Sequence, residues 1–112
     1  MAISSGNLLA SAPPPPGAEA VTTLFQSGAA TITRIVSNDH ASPPGFWYDQ
    51  DEAEWVAVID GHATLEFDNG VVHEMKAGDW IEITAHVRHR IAATAEHTIW
   101  LAVHVVTGAA LA

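Results

Sequence analysis

Two short segments hold most of the side chains able to do chemistry. Tyr48–Asp49–Gln50–Asp51–Glu52–Ala53–Glu54 opens acidic and polar, runs into the apolar Trp55–Ile59 and closes on Asp60–Gly61. A second polar cluster, His86–Val87–Arg88–His89–Arg90, follows about one hairpin later, and His104 stands further on in an apolar stretch. On a strand, residues two apart share a face, so Tyr48, Gln50, Glu54 and Val56 point one way if no bulge intervenes, and Asp49, Asp51 and Ala53 the other. A phenol, an amide, a carboxylate and imidazoles are groups that move protons, bind cations or hydrogen-bond one another. Which of these they do depends on whether the segments face each other across a pocket.

Composition narrows the possible partners. A chain of 112 residues makes one domain with one modest core. Apolar content of 48% against 15% charged residues excludes global disorder. Thirteen acids face four bases, a formal charge of −9, which argues against nucleic acid or an anionic membrane, since both demand a basic footprint. The absence of cysteine removes disulfides, thiolate metal sites and a Cys nucleophile. The N-terminus lacks a basic region and a long enough apolar run for a signal peptide, and no apolar stretch reaches membrane-spanning length. The expectation is a cytoplasmic protein.

The elements that must position these residues read as strands throughout. Residues 1–20 form a Pro-rich tail or arm, because Pro13–Pro14–Pro15–Pro16 favours an extended polyproline stretch that cannot enter a sheet. Residues 21–112 form the single barrel domain. Strands are expected at Val21–Phe25, Ala30–Val36, Glu54–Ile59, Ala63–Phe67, Val71–Met75, Trp80–Ile83, His89–Ala93 and Thr98–Val106. Asp68–Asn69–Gly70 is a strong hairpin turn, and Ser42–Pro43–Pro44–Gly45 a loop. No window carries a helical apolar repeat longer than two turns. About eight short strands with frequent turns predict an all-β sandwich or barrel, whose closure removes exposed edges.

This order of elements, with these residues, resembles the cupin superfamily over about residues 30–106. Glu54 and Gly61 match the glutamate and last glycine of its first motif, G-x5-H-x-H-x3/4-E-x6-G. Gly78 and His89 match its second, G-x5-P-x-G-x2-H-x3-N, with Asp79 after the glycine. Departures are equally specific. Tyr48 and Gln50 stand at the two positions of the H-x-H pair, Thr84 replaces the proline, His86 the second glycine and Ala93 the asparagine. The resemblance implies a jelly-roll β-barrel (a double-stranded β-helix), a homodimer, and one divalent metal in the barrel mouth. In a cupin the Tyr48–Glu54 set looks into the barrel and His89 enters from a neighbouring strand. Gln50, Glu54 and His89, with Tyr48 as a further donor, then form an N/O shell suited to Zn, Fe, Mn or Ni. The alternative is a metal-free polar pocket in which the same groups hydrogen-bond one another.

His104 shares its predicted face with Trp100 and Ala102. Turned inward, it completes the shell or, with Tyr48, serves as an acid–base residue near neutral pH; a one-residue slip turns it outward. His86 is read as exposed, and His40, His62, His73 and His97 as solvated. Arg34, Arg88 and Arg90 are expected to pair with surface acids such as Asp49, Asp51 or Glu52, and core packing is the first explanation for the four tryptophans. Trp55 and Ala57, facing away from Glu54, are candidates to cover a subunit contact. Two functions remain open: an enzyme (an oxygenase, isomerase or polyketide-cyclase-like protein) acting on a small molecule, or a non-catalytic small-molecule-binding sensor or accessory protein.

Overall fold

The computed structural model describes residues 2–106. Eight strands follow in order: β1 (Glu19–Ser27), β2 (Ala30–Ser37), β3 (Glu52–Asp60), β4 (His62–Phe67), β5 (Val72–Lys76), β6 (Trp80–Ile83), β7 (His89–Thr94) and β8 (Thr98–Val106). They lie where alternation and turn residues put them; β1 begins two residues before the expected Val21. All pair antiparallel, in a five-stranded sheet of order β1-β2-β8-β3-β6 and a three-stranded sheet of order β5-β4-β7. No ladder among the described residues joins the two into one closed sheet. Outside the named strands, an antiparallel bridge between Tyr48 and His89 ties the segment before β3 to β7.

Alternation decides the core. Val56, Val58, Ala63, Leu65, Met75, Ile83, Trp100 and Ala102 come from the inward faces of both sheets and form one buried cluster. The register places Glu54 opposite His104, Val56 opposite Ala102 and Val58 opposite Trp100, so two polar side chains continue a row that is otherwise apolar. The outer face tells a different story for tryptophan. Trp80 is 61% exposed and its ring stacks on Trp55 at 6.0 Å. Core packing therefore holds for Trp100 and fails for Trp80, whose position opposite Ala57 on β3 puts it on the outer side of an edge strand.

The Pro-rich arm forms no strand before Glu19, yet it is tethered. Arg34 Nη1 donates to Asn7 O at 3.3 Å, Asn38 Nδ2 donates to Pro14 O at 2.8 Å, and the Gly17 amide to Asn38 O.

Gly61, in the β3–β4 turn, shows why the sequence needs glycine there. Its φ is +82°, and a Cβ would lie 2.8 Å from His97 O and 2.9 Å from Thr98 Cα. Gly70 has a similar φ of +88° but open space around it. Gly61→Ala is expected to cost roughly 2–4 kcal/mol, against about 1 kcal/mol for Gly70→Ala. Urea unfolding of both variants checks this, and equal losses would contradict the packing argument.

Candidate functional site

The cavity lies between the two sheets and has a volume of about 290 Å³. β3 supplies Glu54 and Val56, β8 supplies Trp100 and His104, β7 supplies His89, and the segment before β3 supplies Tyr48 and Gln50. Every residue of the sequence-predicted site thus meets in one place. Tyr48 and Gln50 lie before β3 begins at Glu52, but the Tyr48–His89 bridge holds the segment extended enough to keep their shared face.

The mouth is fixed from outside by the residues of opposite parity. His86 Nδ1 lies 2.8 Å from Asp49 Oδ1, His86 Nε2 lies 3.3 Å from Asp51 Oδ1, and the His86 amide donates to Gln50 O at 2.8 Å. His86 has φ +65°, a left-handed conformation that glycine adopts without cost. It is exposed, as expected, yet it pins Asp49 and Asp51 outward while Gln50 turns in. Arg90 pairs with Glu66 at 3.1 Å and Arg88 lies 3.9 Å from Asp68. The expected acids were Asp49, Asp51 and Glu52. Cross-strand register decides otherwise, because Glu66 lies opposite Arg90 and His86 already holds Asp49 and Asp51.

At the centre, Glu54 is shared by two imidazoles. His104 Nε2 sits 2.8 Å from Glu54 Oε2, and His89 Nε2 sits 3.6 Å from Oε1. Burial alone would raise the Glu54 carboxyl, but His104 and then His89 outweigh it and hold it at about 2. The His89 imidazole is drawn two ways. Burial disfavours its charge, while Glu54 and the Val87 carbonyl favour it, and the balance is upward. Its Nδ1 is 2.8 Å from Val87 O, so both ring nitrogens face acceptors, an arrangement suited to the imidazolium. His104 is raised mainly by its contact with Glu54. The Tyr48 phenol is raised first by burial and then by Glu19 and Glu54; it stays a donor, with its ring stacked on His89 at 5.3 Å.

Cupins often hold a divalent cation, and the donor chemistry here suits one. A carboxylate kept ionised and an imidazole oriented through a backbone carbonyl are features of metal sites. The arrangement is less suited: among the described residues no group of three or more His, Cys, Asp or Glu side chains is placed to hold a metal ion.

The sequence reading did not find Glu19 or Ile35, which line the cavity from β1 and β2. The signal was available for Ile35, which lies opposite Trp100 across the β2–β8 ladder. Glu19 had none, because it sits at the end of the tail, just before the apolar run.

Comparison with known proteins follows the same outline. The sequence pattern described as Cupin domain matches residues 35–104. The chain belongs to the cupin family. No curated protein matches it. A solved chain from Ralstonia eutropha JMP134, provisionally described as a mannose-6-phosphate isomerase, is 42% identical to this cupin, with a TM-score of 0.88, covering 94% of this chain and all of that one. A cupin superfamily protein from Desulfitobacterium hafniense DCB-2 is 16% identical with a TM-score of 0.70, covering 81% of this chain and 80% of its own. An RmlC-like cupin from Desulfovibrio desulfuricans is 13% identical with a TM-score of 0.73, covering 91% and 96%. The last two speak for the fold alone. No helix of the described residues is long and apolar enough to cross a membrane.

Proposed function

We propose that this cupin, in the jelly-roll arrangement its family implies, is an enzyme that moves a proton between neighbouring carbons of a small carbonyl compound, an isomerase-type reaction. The observation that carries the reading is the Glu54 carboxylate lodged between His104 and His89 at the polar end of a cavity whose other wall is apolar. His104 takes the proton from the hydroxyl-bearing carbon beside the carbonyl and returns it to the former carbonyl carbon, while the hydroxyl proton passes by way of Tyr48 to the former carbonyl oxygen. An imidazole whose basicity Glu54 raises is suited to both carbon steps. Glu54 stabilises the imidazolium formed in between. Tyr48, kept protonated by burial and two nearby carboxylates, donates a hydrogen bond to the carbonyl oxygen on which charge develops. The name borne by the Ralstonia eutropha chain supports the same type of reaction, and the support does not extend to the phosphorylated substrate in that name.

The test is deuterium wash-in. Small neutral hydroxyketones and hydroxyaldehydes incubated in D2O with the protein are expected to exchange the proton beside the carbonyl, followed by proton NMR. Exchange no faster than in buffer across the panel would sink the catalytic reading and leave a binding protein.

A second reading keeps the metal, supported by the orientation of His89 through Val87. Gln50, Glu54 and His89 would hold Zn, Fe, Mn or Ni, which would polarise the carbonyl oxygen as a Lewis acid. Elemental analysis of the untagged protein decides it. Near-stoichiometric metal that falls on Glu54→Ala and His89→Ala supports this reading, and occupancy unchanged in both variants removes the ligand set.

A further inference from the structure

We infer that the cavity selects a ligand without an anionic group, and that Glu19 sets this preference. The inference rests on the cavity being the ligand site.

Charge placement carries it. The chain has four basic residues, Arg34, Lys76, Arg88 and Arg90, and none lines the cavity. Arg34 reaches back to the arm at Asn7 O, Arg90 is held by Glu66 and Ser42 O, and Arg88 turns toward Asp68 with Trp47 beneath it. Lys76 is exposed at the end of β5. Two carboxylates, Glu19 and Glu54, do line the cavity. Even with both imidazoles protonated, the ionised side chains that line the cavity sum to zero, so the lining itself supplies no fixed positive charge for an anion. The means by which proteins usually hold phosphate or carboxylate groups are a guanidinium, an ammonium or a helix N-terminus. The described residues form no helix, and the formal charge of −9 repels an anion on approach.

The remaining wall favours a compact apolar body. Ile35, Val56, Leu65, Ile83, Ile91 and Trp100 line it, and 290 Å³ has room for roughly ten to fifteen non-hydrogen atoms. Tyr48 is the point where the polar end is read. Glu19 and Glu54 both act on its hydroxyl, so the fields of the two carboxylates overlap there. A ligand oxygen accepting from Tyr48 meets no penalty if neutral, and an ammonium group is attracted. A carboxylate or phosphate at that point faces the like charge of Glu19, which the two imidazoles on Glu54 do not touch. Glu54 is held between two imidazoles, whereas Glu19 has neither of them as a partner. Among the described residues, its close basic neighbour is His40 Nε2, at 3.6 Å.

The test uses probes that share one ring and differ in charge: benzyl alcohol, benzylamine, benzoate and phenyl phosphate. Each is titrated into the full chain and followed by NMR signals of Tyr48, Trp100 and His104. The alcohol and the amine are expected to bind, and the two anions at least about tenfold more weakly than the alcohol. In Glu19→Gln the ratio of benzoate to benzyl alcohol affinity is expected to rise about tenfold. Either anion binding the wild type as tightly as the alcohol overturns the inference, and an unchanged ratio in Glu19→Gln overturns the role of Glu19. Failure of all four probes to bind overturns the inference together with the cavity as ligand site. Binding in the predicted order without deuterium wash-in supports the inference while contradicting catalysis, so the two failures are distinct.

Discussion

Replacing Glu54 with glutamine is expected to slow deuterium wash-in by about 100- to 10,000-fold, the range over which a positioned acid–base group accelerates proton transfer. The substitution keeps shape and volume and removes only the charge. His104 Nε2 then faces an amide in place of a carboxylate at 2.8 Å, and the imidazolium formed when it takes a proton has no counter-charge. His89 loses the same partner and falls back toward a neutral ring. Glu54→Asp, which keeps the charge on a shorter arm, should recover part of the rate. A Glu54→Gln protein that exchanges protons at the wild-type rate would show that the carboxylate is a bystander to the chemistry.

Trp100→Ala is expected to destabilise the protein by about 3–5 kcal/mol, the usual cost of truncating a large buried aromatic side chain. The ring is 3% exposed and packs among Val56, Val58, Leu65 and Met75. Its Nε1 donates to Ser37 Oγ at 3.1 Å, and Ser37 is fully buried, so truncation also leaves a buried hydroxyl without its donor. Trp100→Phe keeps most of the ring and loses only that contact, and should cost about 1–2 kcal/mol. Denaturant unfolding followed by circular dichroism measures both. A loss below about 0.5 kcal/mol for Trp100→Ala would mean the ring contributes no more than a surface residue does.

Much of this was legible from the order of residues, and particular positions show why. Strand limits came through because apolar alternation and turn residues agree locally; Asp68–Gly70 and Asp60–Gly61 are turns whatever packs on them. Period two put Trp100, Ala102 and His104 on one face of β8 but left open whether that face turns inward, since a one-residue slip reverses it; the ladders with β2 and β3 place it. Pairing across strands was harder. The partners of Arg88 and Arg90 depend on register between β4 and β7, which lie more than twenty positions apart in the chain. Trp80 was misread for a related reason. Its hydrophobicity is the same on either face, and alternation along β6 puts it outside with Glu82 while Ile81 and Ile83 turn toward the core. Glu19 could not be found, because a carboxylate at the start of an exposed strand gives no local sign that a cavity lies beneath it.

The charges of the central cluster also set a pH window. Glu54 is depressed from 4.5 to about 2, so its contribution is complete above the ordinary carboxylate range and is lost as pH falls toward about 2. That contribution is roughly 3 kcal/mol, counted once and shared with the two imidazoles. His89 and His104 are raised above 6.5, so their contribution is complete below that value and is lost as pH rises through their folded values. The cluster therefore stabilises the fold most between about 4.5 and 6.5.

The most direct test of the account is a carbon-13 NMR titration of the Glu54 side-chain carboxyl, assigned by its loss in Glu54→Gln. The account predicts a carboxylate that stays ionised until about pH 2, with both imidazoles still protonated at pH 6.5. A carboxyl that titrates at or above 4.5 would contradict it, because Glu54 would then be a buried acid rather than the shared counter-charge of His89 and His104.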